Sequence, residues 1–222
     1  PSSIVGLRNQ PEIFYAAYPQ NIYISRDLKD YVYDPVENVY IKKLETELRP
    51  LVYIYLVQII LKNNDGRVKG INGNTAMSSM ASGVDVYTGH TNNSPSVIYF
   101  NTRLKRNLQV NGETCDIIGG KFTTFGLCDM EPYTRAGSHY EGSRSSLKNY
   151  LFFDLMFSND GIKTYSVDVT DQCQNQAHGG VITIYIDCGE LSPPDDDPED
   201  GTGSLFVPTV EDYDEVFWEV EL

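Results

Sequence analysis

The sequence predicts an all-β sandwich of about nine or ten strands. Three observations carry that prediction. Residues 51–61 are aliphatic or aromatic throughout except Gln58, with Pro50 before them and the turn Asn63-Asn64-Asp65-Gly66 after them. Enrichment in Val, Ile and Tyr between turn residues marks a strand and not a helix. Aromatic residues make up 12% of the chain, 16 of them tyrosines, and 18 glycines separate short apolar runs, which is a β composition. Lastly, no stretch sustains an apolar stripe at helical spacing.

Taken in order, residues 1–35 read as an extended segment lying over the core, because Pro11, Pro19 and Pro35 interrupt them and their aromatics follow no clean period. Residues 38–48 mix both periods and read as a strand running into Pro50. The stretch 49–62 is the expected central strand. At roughly 3.3 Å per residue its apolar run would span about 35–40 Å, and with both faces apolar it must be covered on each side. Residues 68–78 carry small alternating side chains and lead to turns at Gly83 and Gly89. A strand over 96–101 is bounded by Pro95, and another beginning at Leu108 turns at Asn111-Gly112, a strong hairpin signal. Residues 114–125 read as a strand interrupted by a bulge at Gly119-Gly120.

The polar excursion 130–147, with Arg135, His139 and Arg144 among Gly and Ser, reads as a mobile loop open to proteolysis. Strands over 149–157, 162–170 and 181–188 read as a meander, the first two joined by Ser158-Asn159-Asp160-Gly161. The resulting organisation has an extended lead-in over 1–40 and a sandwich over 41–190. An acidic Pro/Gly linker follows over 191–204, and 205–222 form a C-terminal edge strand packing on the sandwich. That last piece holds the expected assembly edge strand, Val216, Phe217, Trp218 and Val220: Val216, Trp218 and Val220 alternate with Phe217, Glu219 and Glu221, so one face can pack on the core.

Charge narrows the function classes. A net charge of -14, with 17 Lys and Arg against 31 acids, opposes binding to nucleic acid or to an anionic membrane surface. The longest apolar run falls well short of the ~20 residues of a membrane helix. The start Pro1-Ser2-Ser3 has no leader pattern and reads as a processed or trimmed product.

The search for chemistry assigns no catalytic, metal or cofactor-binding residue, so no enzyme activity and no cofactor are expected. His90, His139 and His178 lie in separate loops without HxH or HExxH spacing. No GxSxG elbow is present. The acidic run 195–200 lacks the alternation of a calcium loop and is interrupted by Pro198. Gly119-Gly120 and Gly179-Gly180 belong to turns and do not cradle phosphate. The aromatics Phe14, Tyr15, Tyr18, Tyr23, Tyr31, Tyr33 and Tyr40 admit an alternative role as a carbohydrate-binding platform, for which coplanar exposed rings beside polar donors would be the mark.

Four cysteines without CxxC spacing fit either structural disulfides of an oxidising compartment or buried thiols. If the strand over 114–125 and the three of the meander alternate in direction, Cys128 and Cys173 lie at one end and Cys115 and Cys188 at the other. If bridges form, the expected pairs are then Cys128–Cys173 and Cys115–Cys188.

Five stretches, RPLVYIYLVQIIL, SSMASGVDVYTGH, GKFTTFG, YSVDVTDQ and the tail FVPTVEDYDEVFWEVEL, resemble in order and spacing the fimbrillin-like surface lipoproteins of Bacteroides and related gut bacteria, in their fimbrial anchor or minor-subunit branch. The resemblance covers about residues 40–222 and lies in the succession of strands and turns. It implies a transthyretin-like β-sandwich, export, and attachment to the outer membrane through a lipidated cysteine of a longer form. It also implies a role in fimbria (pilus) assembly and adhesion, with other fimbrial subunits joined by strand pairing and a glycan or host surface as a further partner. Residues 1–40 then correspond to the end of an N-terminal domain or its linker.

Overall fold

The structure, a computed structural model, describes residues 5–7, 10–17, 23–131, 147–191 and 193–194. The chain enters through five strands of three residues each: β1 (Val5–Leu7), β2 (Tyr15–Ala17), β3 (Val32–Asp34), β4 (Val39–Ile41) and β5 (Leu48–Pro50). The longer strands β6 (Tyr53–Lys62), β7 (Val68–Ile71), β8 (Thr75–Ala81), β9 (Pro95–Phe100), β10 (Thr102–Val110) and β11 (Glu113–Thr124) follow. After them come β12 (Tyr150–Phe157), β13 (Ile162–Asp168), one short helix α1 (Thr170–Asn175) and β14 (Gly180–Asp187). Ten strands, β1 and β6–β14, build the two facing sheets, within the expected number. The additional strands are too short for a period of two to register in sequence.

The apolar run becomes β6, and β6 lies inside its sheet, between antiparallel β11 and parallel β14. It starts at Tyr53, after a bend at Leu51 and Val52, so it is shorter at its N-terminal end than the apolar run. The turn behind it is made by Asn63, Asp65 and Gly66 in left-handed conformations, which Asn, Asp and Gly tolerate best. Beyond β11 the sheet continues to β10. The facing sheet runs β1-β9-β8-β12-β13, with β7 also against β12. β7 and β8 pair with β12 over successive segments, and the Asn72 N–H donates to the Asp154 carbonyl where they break.

Alternation along each strand directs one face inward. Tyr55, Val57, Ile59 and Leu61 of β6, Ile118 and Phe122 of β11, and Ile182, Ile184 and Ile186 of β14 meet Met77, Ile98, Phe153, Leu155, Phe157 and Val167 of the other sheet in one core. Phe122 stacks on its cross-strand neighbour Tyr55 and tilts against Phe100, tying the sheets together at the β9–β10 corner. The outer face of β6 is covered by a smaller cluster of Ile60, Val110, Cys115 and Ile117, with Leu108 and Tyr185 packed against it.

Several expectations are corrected. The strand turning at Asn111-Gly112 begins at Thr102, not Leu108, because β9 passes directly from one sheet into the other as β10. The bulge lies on β10 between Lys105 and Leu108, and β11 runs unbroken through Gly119-Gly120. Its cause is the inward carboxylate of Asp116, which accepts from the Asn107 N–H (2.9 Å) and the Asn64 amide (2.7 Å) and pairs with Arg106 (3.4 Å). Gly120 is required by the corner: a Cβ there would lie 2.8 Å from Thr102 Cγ2 and 2.9 Å from the Asn101 carbonyl oxygen.

The expected meander is broken. β12 and β13 form its hairpin, but the chain then turns through α1 and places β14 in the opposite sheet, parallel to β6. The stretch 38–48 is not one strand: Val39–Ile41 pairs with β3, residues 42–47 are irregular, and β5 begins only at Leu48. Of the lead-in, Gln10 and Pro11 contact Tyr99 and Thr123 of the sandwich, whereas 23–48 contain no buried residue. Of the expected loop over 130–147, residues 132–146 with Arg135, His139 and Arg144 lie outside the described residues, as do most of the linker and the tail with Val216, Phe217, Trp218 and Val220.

Candidate functional site: strand edges and exposed aromatics

Among the described residues each sheet ends in strands that pair with a neighbouring strand on one side only, and such edges are where the fold can meet other chains. β13 pairs with β12 alone among the described residues, turning Tyr165 and Val167 inward and Thr164 and Ser166 outward. Its ends are marked by ion pairs, Lys148 with Asp168 at 3.0 Å and Lys69 with Asp160 at 2.7 Å. β14, the corresponding edge of the other sheet, is occupied by α1. The Gln172 amide donates to the Thr183 carbonyl (2.9 Å) while its oxygen accepts from the Thr183 N–H (2.8 Å). Gln176 does the same with Val181, donating at 2.9 Å and accepting at 2.7 Å. The sequence reading passed over both glutamines. Their signal was the i, i+4 pair in TDQCQNQ, closed by Gly179-Gly180.

The exposed rings of Tyr23, Tyr33 and Tyr40 lie on the arm formed by 23–48. Tyr33 and Tyr40 are cross-strand neighbours with ring centroids 5.2 Å apart, tilted by 52°. Tyr23 and Tyr31 hold the Lys42 ammonium between them, 5.9 and 5.8 Å from their centroids. At 52° the Tyr33 and Tyr40 rings are not coplanar, so this pair does not build the geometry named as the mark of a stacking platform. Phe14 and Tyr15 are exposed on β2 and the residue before it, and Tyr18 lies outside the described residues.

All four cysteines are free, buried thiols in the structure, in place of the expected bridges. Cys115 faces the outer cluster with Ile60, whereas Cys188 faces the inner core. Their strands are separated by β6, a gap of about 10 Å, beyond the roughly 7 Å that a disulfide spans. Cys173 sits on α1, which the meander reading did not contain. Burial lifts each thiol, Cys128 to about 11, Cys173 and Cys188 to about 12, and Cys115 in the same direction. None is a ready thiolate nucleophile.

His90 is exposed in the loop after β8, and His178 is half-buried against the Tyr53 ring. Burial holds the His178 imidazole below its ordinary value, against the opposing pull of the Glu131 carbonyl. Among the described residues no three His, Cys, Asp or Glu side chains are grouped to hold a metal. Nor is any helix among them long and apolar enough to cross a membrane.

The fold and its edges define an all-β, two-sheet sandwich protein. No protein-family model and no curated protein matches the chain. Two solved structures are similar to it: a candidate adhesin from Bacteroides ovatus ATCC 8483, at 17% identity and a TM-score of 0.37, and a candidate cell adhesion protein from Bacteroides fragilis NCTC 9343, at 8% identity and 0.42. The matches cover 71% and 67% of this chain but 53% and 47% of those chains, so this chain spans about half their length.

Proposed function

We propose that the chain is a non-enzymatic cell-surface protein, a fimbrial subunit or anchor whose longer form is lipid-anchored at the outer membrane. It joins neighbouring subunits by strand pairing and serves adhesion. The observation that carries this reading is the β13 edge, a seven-residue strand paired on one side only among the described residues. Such an edge offers backbone donors and acceptors to an incoming strand. The resemblance of its strand-and-turn succession to fimbrillin-like proteins supports the same role.

Immunogold electron microscopy of cells producing the protein, with antibody against the sandwich, tests the proposal. Gold following surface filaments is the expected result. Label confined to the cell interior, or hydrolase activity in the purified protein, would overturn it.

A further inference from the structure

The contact between α1 and β14 is built as a strand contact, although one partner is a helix. Gln172 on α1 and Gln176, the residue that caps its C-terminus, are four residues apart, with the Gln176 N–H on the Gln172 carbonyl, an axial rise of about 6 Å. Val181 and Thr183 are two apart, about 6.6 Å along a strand. The two spacings match, so each amide presents a donor and an acceptor to the outward C=O and N–H of one strand residue, as a neighbouring backbone would. The helix is anchored at both ends. The Tyr55 hydroxyl on β6 donates to the Gln176 carbonyl (2.6 Å), and the Thr170 hydroxyl accepts from the Asn149 N–H (2.9 Å). Gly180 completes the fit, because a Cβ at that position would stand 1.8 Å from Gln176 Oε1.

We propose that α1 is a surrogate strand whose two glutamine amides close β14 to pairing with a second copy of this chain. β14 needs such a guard because it is eight residues long, with Ile182, Ile184 and Ile186 on its buried face. Exposed edges of that kind template intermolecular pairing unless a helix, a charge or a bulge covers them. The inference stands apart from the proposed surface role, since it concerns only which edge of the sandwich is shut.

Two variants test it, read by amide hydrogen exchange and by sedimentation across concentration. In Gln172→Ala/Gln176→Ala the Val181 and Thr183 amides should exchange about tenfold faster or more. Ile184, which faces β6, should keep its protection, and the dimer fraction should rise above that of the parent protein. Gly180→Ala crowds the Gln176 side chain from its amide down to its Cβ, 3.0 Å away, so that side chain must turn aside, and Val181 exchange should speed while Thr183 keeps its rate. Unchanged exchange at both amides overturns the inference. So does a double variant whose two amides open while the protein stays monomeric. If the double variant also loses Ile184 protection, Gly180→Ala decides: faster Val181 exchange with added dimer supports the guard, and unchanged exchange or an unchanged dimer fraction sinks it.

Discussion

Replacing Tyr165 by Phe should stabilise this protein, against the usual direction of core substitutions. Tyr165 is 6% exposed, its ring stacks on Phe153 of β12 at 5.5 Å, and its hydroxyl has no hydrogen-bond partner among the described residues. Burial pushes the phenol up to about 12, consistent with a group sealed from water. An unpaired buried hydroxyl costs about 1–3 kcal/mol in lost hydration. Phenylalanine keeps the stacked ring, the cross-strand pair with Phe153 and the contact with the Lys163 ammonium. The void left by one oxygen returns part of the gain, about 1 kcal/mol or less. The net expectation is a gain of about 1 kcal/mol, or about 2–4 °C in Tm for a chain of this size. Urea denaturation of both proteins, with equal m-values, measures it. A loss of 1 kcal/mol or more would mean that the hydroxyl is satisfied and would refute the reasoning.

At the β10 bulge, Asp116→Ala strands the Asn64 amide and the Asn107 N–H, and a loss of about 3 kcal/mol is expected in the same denaturation assay. Gly120→Val drives a side chain into Thr102 and the Asn101 carbonyl at the sheet corner, so it should cost about 1–3 kcal/mol, read as a lower urea midpoint. Alkaline pH should unfold the protein through its thiols. Unfolded thiols ionise near 9.0, while Cys173 and Cys188 keep their protons to about 12. Their contribution is therefore complete below pH 9 and is lost as pH rises toward 12. Cys173→Ala should flatten the fall by up to about 1.4 kcal/mol per pH unit, and an identical slope in the variant would contradict the burial argument.

Local pattern by itself determined the fold class, the core strand and the hairpins. A long apolar run enriched in Val, Ile and Tyr cannot be solvated, so β6 had to be inside a sheet. Asn111-Gly112 and Asn159-Asp160-Gly161 had to turn, and the structure holds Asn111, Gly112 and Asp160 at positive φ. What only the tertiary structure decided is which strands are neighbours. β12, β13 and β14 read alike in sequence, yet β14 leaves for the other sheet, because partner choice depends on the faces that remain to be covered across the sandwich and not on any residue's own period. The same step settled the cysteines, since a side chain's face follows from strand register, and one sheet's two faces put Cys115 and Cys188 apart. Gln172 and Gln176 were legible only as an i, i+4 pair of amides. An amide becomes an edge seal when a strand lies at hydrogen-bonding distance, and that strand is supplied by the fold.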